Sequence, residues 1–361
     1  MSGLPEHEHP LGRRHWIVLA LSAMAGCGGG SSTEEPVGAG GGAGSGGSGG
    51  GQTPAAGGGD AAADGGGTQV AGAPGTGGTG SPGGSDPGTG GTGIFSHGSI
   101  SAFGSVVLNG IHFDETGASI RINGASSSPG ALRLGMVAGV QGERYADGVS
   151  GKAESIEVWS IARGPVTAAG GGQFTVLGMK IKTQGSTFLE GVASASAIAA
   201  GQWVTVWGLQ ADAQASSWVA TRVAVGSAGG LVVATGMVSG SKEQRLLNGI
   251  RLTGGDAEKL HSGRVTRVEG KWDAEAGSLE VKSDHDMDVR GENVGSSALV
   301  EIEGVVTSLL GGNRFTLGSV EVDASADASN YAKLKVGSKL EVYGTWQGQV
   351  LKATELEFED D

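Results

Sequence analysis

One eight-residue frame recurs four times in this chain of 361 residues and constrains its fold more than any other feature. The frame is Gly-x-x-h-x-h-x-Gly, where h is mostly apolar. It reads Gly135-Met-Val-Ala-Gly-Val-Gln-Gly142, Gly201-Gln-Trp-Val-Thr-Val-Trp-Gly208, Gly263-Arg-Val-Thr-Arg-Val-Glu-Gly270 and Gly337-Ser-Lys-Leu-Glu-Val-Tyr-Gly344. The alternation inside each frame is the two-residue period of a β-strand, and the glycines at its ends mark bends. Recurrence at a roughly fixed spacing identifies one supersecondary unit used in tandem.

The flanks repeat as well. After each frame come a turn and a second alternating strand: Ala153–Val158, Ala220–Val225, Leu279–Val281 and Ala353–Phe358. Before each frame stand a glycine-started strand, at Gly98, Gly164, Gly236 or Gly304, and an apolar hairpin. Two of the hairpins turn on Asn109-Gly110 and Asn248-Gly249, a strong hairpin signal between apolar runs. Each repeat therefore holds about five short strands. An open sheet of that size leaves edges and one apolar face in water, and closure removes both. The expectation is all-β: four tandem small five-stranded OB-like barrels over 94–160, 161–229, 230–295 and 296–361. The frames are expected to stay in separate sheets, and neighbouring repeats to share an interface, since a barrel this small is marginal alone.

Glycine explains the rest of the chain. Of 73 glycines, 30 fall between Gly28 and Gly93, a tract without Phe, Trp, Tyr, Lys or Arg. Such a tract has no apolar surface to bury and is expected to be a disordered tether over 27–93. Residues 1–26 read as a leader: Arg13 and Arg14 precede the short apolar run Trp16–Ala25, which is too short to span a bilayer. Met24-Ala25-Gly26-Cys27 resembles a bacterial lipobox, which implies cleavage before Cys27, lipidation of Cys27 and attachment to the membrane through that lipid. Ala23-Met24-Ala25 also offers a small-x-small cleavage site that would release a soluble protein. By resemblance to enterobacterial lipoproteins, in which an aspartate at this place favours inner-membrane retention, Gly28 implies the outer membrane, with its face open. Cys27 is the only cysteine, so no intramolecular disulfide or cysteine zinc site is available.

The formal charge is −13. Setting aside the two acids and two bases of the leader and the five acids of the tract leaves a body of 30 acids against 22 bases. A net acidic body repels phosphate backbones, so nucleic acid is not an expected partner, and an OB-type oligonucleotide binder stands only as a third reading that the charge disfavours.

The run Gly98-Ser-Ile-Ser-Ala-Phe-Gly-Ser-Val-Val-Leu-Asn-Gly-Ile-His-Phe-Asp114, followed by Leu134–Val137 and Val140-Gln-Gly142, resembles the bacterial domain-of-unknown-function 5666 repeats. The first repeat carries the resemblance best. The third diverges most, with Leu246 where the others place Phe103, Phe174 or Phe315. The resemblance implies tandem β repeats in a secreted lipoprotein and brings no catalytic residues.

Chemistry is sparse. His97, His112, His261 and His285 are scattered over two repeats without metal-ligand spacing, and no nucleophile elbow or phosphate loop is present. No cofactor is expected. The densest polar cluster is Asp284-His-Asp-Met-Asp288. If one strand carried it, Asp284, Asp286 and Asp288 would share a face and offer carboxylates to a hard cation such as Ca²⁺, although the glycine and terminal glutamate of a calcium loop are missing. The alternative is a solvated strand end. The aromatics give a second lead. If the fourth and sixth frame positions point inward, Trp203, Trp207 and Tyr343 point outward. Trp272 and Trp346 follow the closing glycines, in a hairpin that OB folds use for ligands. Exposed indoles stack on sugars, so these five are the candidate contacts for a glycan or an envelope protein. Packing between repeats is the alternative. The chain is thus expected to be a non-catalytic binding or structural module of the cell envelope, with an enzyme accessory domain or hydrolase as the competing class. A deep polar pocket joining repeats would mark the enzyme, and a shallow aromatic strip the module.

Overall fold

The computed structural model describes residues 92–289 and 298–359. The leader, Cys27, the tract up to residue 91 and the repeat boundary at 295 lie outside the described residues. The fold is all-β, and among the described residues the one α-helix is the four-residue Ala328–Tyr331. No helix among them is long and apolar enough to cross a membrane.

The first repeat runs through β1 (Thr92–Ser99), β2 (Val106–Leu108), β3 (Ile111–Asp114), β4 (Ser119–Ile122), β5 (Ala125–Ser126), β6 (Val137–Arg144) and β7 (Ser150–Val158). The second holds β8 (Ala162–Gly170), β9 (Gln173–Val176), β10 (Met179–Glu190), β11 (Trp203–Gln210) and β12 (Ser217–Gly226). The third holds β13 (Val232–Ser239), β14 (Leu246–Leu247), β15 (Ile250–Thr253), β16 (Val265–Asp273) and β17 (Ser278–Asp286). The fourth holds β18 (Leu299–Gly311), β19 (Arg314–Leu317), β20 (Val320–Asp323), β21 (Lys339–Gln347) and β22 (Val350–Phe358). The first strand begins at Thr92, so the last two residues of the expected tether are already in the sheet.

The second repeat is a closed five-stranded barrel. β8 pairs with β9, β9 with β10, β10 with β12 in parallel, β12 with β11, and β11 returns to β8. The same run of pairings recurs from β13 to β17 and from β18 to β22. In the first repeat β2–β3, β3–β7, β7–β6 and β6–β1 pair likewise, and β4 and β5 are added beside β7. The frames are β6, β11, β16 and β21 with their approach turns. Their opening glycines, Gly135, Gly201, Gly263 and Gly337, take φ between 75° and 93°, a region that disfavours side chains. Their closing glycines sit at bulges, where a Cβ would stand 2.0–2.4 Å from a carbonyl of the next strand.

The repeats do not keep separate sheets. β1 pairs in parallel with β18, Ile94 to His97 against Leu299 to Ile302, so the first and fourth repeats share a twelve-stranded sheet. β8 and β13 meet at Arg163 and Val233, which joins the second and third repeats in a ten-stranded sheet. The sharing extends to the cores. One apolar cluster runs through the second and third repeats. Trp207, Leu209 and Val219 of the second repeat and Val305 of the fourth pack into the core of the first. Phe95 of the first packs into the core of the fourth. A further departure concerns Phe103, which is 49% exposed, whereas Phe174 and Phe315 are buried. Phe113, fully buried on β3, is the large aromatic of the first repeat's core.

Candidate functional site

Where the four repeats meet, they leave a cavity of about 290 Å³. Its walls come from β1 (Phe95), β6 (Val137), β11 (Leu209) and β18 (Ile302, Val305), with Leu317 from β19. Polar groups sit among them: His97, Gln141, Glu157, Gln210, His285 and Asp288. Met287, Asp288, Gly318 and Ser319 also line a second, more open cleft of about 490 Å³.

Local sequence explains the placement. β1 alternates, and its register on β18 turns Phe95 into the fourth repeat's core while His97 lines the cavity. The Nδ1 of His97 is buried and has no hydrogen-bond partner among the described residues. Burial pushes the imidazole down to about 4, against the opposing pull of the Glu303 charge, so His97 is neutral at physiological pH. Trp159 follows β7 and stacks on His285, ring centroids 3.9 Å apart, while the Arg267 guanidinium lies 5.1 Å from its centre. Gln210 donates to the Asp212 carbonyl at 2.8 Å. Among the lining residues of the cavity none is Lys or Arg, against the carboxylates of Glu157, Asp288 and Glu303.

A second polar feature lies beside the β1–β18 junction. Glu301 and Glu303 are 1% and 3% exposed. Ser96 donates to Glu301 at 3.3 Å, and Asn109 to Ser96 at 3.0 Å. The Ser99 hydroxyl donates to Glu303 at 2.9 Å, and Lys339 pairs with Glu303 at 2.7 Å and also with Glu359. Burial would lower Lys339, but Glu303 and Glu359 outweigh it and raise its proton affinity. Burial first, then the charges of Glu301, Glu359 and Glu303, pushes Glu341 up to about 8 against a 2.7 Å hydrogen bond from Tyr343. These contacts tie β1 to β18 and β21 within the shared sheet.

The five candidate aromatics do not form a strip. Trp207 and Trp346 are 6% and 8% exposed, and Trp203, Trp272 and Tyr343 are half-buried. The reasons differ. Trp207 points out of its own barrel, as expected, but the first repeat covers it. Trp203 packs against the second and third repeats' shared core, with the Arg163 guanidinium 5.7 Å from its ring centre. Trp346 and Trp272 were expected in hairpins. β21 and β16 instead continue past their closing glycines, so both indoles fall on the inward face with Leu340 and Val342 or Thr266 and Val268. Tyr343 is spent on Glu341 and lies 3.3 Å from Glu357.

The three aspartates do not share one strand face. Asp284 and Asp286 are the exposed end of β17, Asp286 pairs with Arg264, and Asp288 lies beyond the strand at the cavity. Among the described residues no three His, Cys, Asp or Glu side chains gather in a way that could hold a metal ion. Sequence reasoning missed His97, Glu157 and Gln210. They come from three strands in two repeats, and it is the packing of β11 against the first repeat that brings Gln210 to the cavity with His97 and Glu157.

The family model described as Domain of unknown function (DUF5666) matches the chain twice, at residues 163–224 and 303–357. These are the second and fourth repeats; neither match includes the first, where the resemblance in the sequence is strongest. No curated protein matches the chain. Among solved structures, a deletion mutant of the single-stranded DNA binding protein from Thermus aquaticus is 19% identical over 37% of this chain and 86% of its own, with a TM-score of 0.16. At that score neither its fold nor its ligand carries over.

Proposed function

We propose that the chain is a non-catalytic binding module of the bacterial cell envelope, a lipoprotein held by lipid on Cys27, with four tandem OB-like barrels closing around one ligand site. The recurring strand pairings and the two family matches support the barrels. The leader and the position of Cys27 support the anchor. Replacing Cys27 by Ser is expected to move the protein from the membrane to the soluble fraction, and unchanged partition of that variant would overturn the anchor.

The observation that carries the binding reading is the cavity itself, to which all four repeats contribute walls. The pocket joins repeats, as the competing enzyme reading required, and the aromatic strip expected of a module is missing; the module reading rests instead on the walls, which are largely apolar with a few convergent polar groups, the usual make-up of a small-molecule site. The site is internal, so a small molecule of the envelope replaces the long glycan or protein surface expected from outward tryptophans. Screening small envelope metabolites and short glycans against the full chain tests this. The control is Ser155→Trp, which places an indole at the cavity's edge on a half-buried position. Binding by the wild-type chain that this variant loses, at unchanged melting temperature, is the expected result. Binding indifferent to the variant would place the site elsewhere.

A further inference from the structure

We infer that the central cavity takes a neutral, largely apolar small molecule with one hydrogen-bonding group, and that the imidazole of His97 holds that group. This rests on the reading of the cavity as a binding site and adds the chemical class of its ligand.

One position recurs in all four repeats and is satisfied in three. The residue before Gly98, Gly164, Gly236 or Gly304 stands opposite the fifth position of the frame: His97 against Gly139, Arg163 against Thr205, Thr235 against Arg267 and Glu303 against Glu341. Arg163 donates to the carbonyls of Leu231 and Gly229, and Thr235 donates to that of Ile161 at 2.7 Å. Glu303 takes Lys339 and the Ser99 hydroxyl. His97 instead lines the central cavity, and its buried Nδ1 has no partner among the described residues. Buried polar groups are paired as a rule. An exception on a cavity wall marks a place where a molecule from outside the chain supplies the missing bond.

The walls decide against a charged ligand. Burial leaves His97 itself uncharged at physiological pH. Among the described residues no Lys or Arg lines the cavity, so an anionic group would shed its water without gaining a counter-ion. The three acids that line it do no more for a cation. Glu303 is paired with Lys339, Asp288 has an interaction of its own, and Glu157 is exposed to water, where an ion pair is worth little. A neutral group avoids the desolvation of a charge. A hydroxyl can both donate and accept, so it suits either tautomer of the ring. Phe95, Val137, Leu209, Ile302, Val305 and Leu317 make much of the wall apolar, which suits the rest of the ligand. At about 290 Å³ the cavity stands at the small end of the roughly 300–1,000 Å³ usual for such sites, so the ligand is compact.

The test uses the full chain and four probes of similar shape: 2-phenylethanol, propylbenzene, phenethylamine and phenylacetate. Ligand-observed NMR titration gives the affinity of each. 2-Phenylethanol is expected to bind at least about tenfold more tightly than the ammonium or the carboxylate. His97→Phe keeps an aromatic ring and removes both ring nitrogens. It should lower the affinity for 2-phenylethanol, relative to that for propylbenzene, by about tenfold. His97→Leu carries the same expectation should the larger ring lower the melting temperature. The failures are distinguishable. Binding that Ser155→Trp leaves intact, or no binding of any probe, overturns the cavity as the site. Binding lost in Ser155→Trp, but with a charged probe held as tightly as 2-phenylethanol, overturns the neutral ligand and leaves the site standing. Binding lost in Ser155→Trp, but with the affinity ratio unchanged in the His97 variants, overturns the role of the imidazole and again leaves the site standing.

Discussion

Lys339 stands among buried carboxylates at the seam between the first and last repeats, and its energetics follow from that position. Glu303 is almost wholly inaccessible and relies on Lys339 and Ser99 for its charge. Removing one partner of a buried pair leaves an uncompensated charge, so Lys339→Met should lower stability by about 3–5 kcal/mol. Adding Glu303→Gln should restore much of it, and urea unfolding with unchanged slope checks both. Glu341 and His97 set opposite pH trends. The folded Glu341 titrates near 8 against an ordinary 4.5, so the folded chain holds a proton that the unfolded chain releases, and stability falls as pH rises from about 4.5 to about 8. The folded His97 titrates near 4 against 6.5, so stability falls as pH drops from 6.5 towards 4. Between pH 6.5 and 8 the His97 trend is spent, and Glu359, which burial and the Glu303 charge also raise, acts in the same direction as Glu341. The wild-type melting temperature should therefore fall across that window and that of Glu341→Gln should fall less steeply; two equal slopes would refute the assignment. None of this was legible in Leu299-Val-Glu-Ile-Glu-Gly304. Acids alternating with apolar residues read as a solvated strand face, and only the arrival of β1, some two hundred residues away in sequence, buries them.

The strand frame was the most legible element, and its glycines show why. Each opening glycine needs a positive φ and each closing glycine needs the absence of a Cβ, two separate constraints that leave the same letter in the sequence. The structure separates them. A Cβ on Gly337 meets open space, and only the conformation, φ 93°, resists it. A Cβ on Gly344 would stand 2.1 Å from the Lys352 carbonyl across the bulge. Gly337→Ala is thus expected to cost about 1–2 kcal/mol. Gly344→Ala should cost more, at or beyond the roughly 1–3 kcal/mol typical of overpacking, because backbone must move. Thermal melts of the two variants side by side check the order. The Asn-Gly hairpins were legible for the same kind of reason: Asn109, Gly110, Asn248 and Gly249 all take positive φ. The tryptophans were misplaced through one element boundary. Ending β21 at Gly344 puts Trp346 in a loop, while carrying the alternation from Leu340 and Val342 through Gly344 puts it in the core. Trp207 was a different failure, since strand alternation gives the outward face but not what covers it.

At the scale of the molecule, four similar units in a row suggest a linear array, in which each repeat touches only its neighbours and stability adds unit by unit. The contacts here are not linear. The first repeat is paired with the fourth through β1 and β18 and packed by the second through Trp207, and the second and third share one core. Phe95 and Val305 exchange sides across the seam, each packing into the other repeat's core. The cavity exists only because this arrangement brings all four repeats to one place, which is why a repeat-by-repeat reading of the sequence could find the units and not the site. A shared core also predicts how the chain unfolds. In a linear array a destabilised end repeat frays and leaves the far end intact. Here Phe95→Ala, made in the first repeat, removes a side chain from the core of the fourth, at a cost of about 3–5 kcal/mol. The described body should therefore unfold in one transition, and Phe95→Ala should shift it as a whole. The check is urea unfolding of single-tryptophan variants retaining Trp159, Trp218 or Trp346, which report on the first, second and fourth repeats. Coincident midpoints that move together on adding Phe95→Ala are expected. A midpoint for Trp346 that stays fixed while the Trp159 signal shifts would mean that the repeats are independent and the seam between β1 and β18 contributes nothing to holding them.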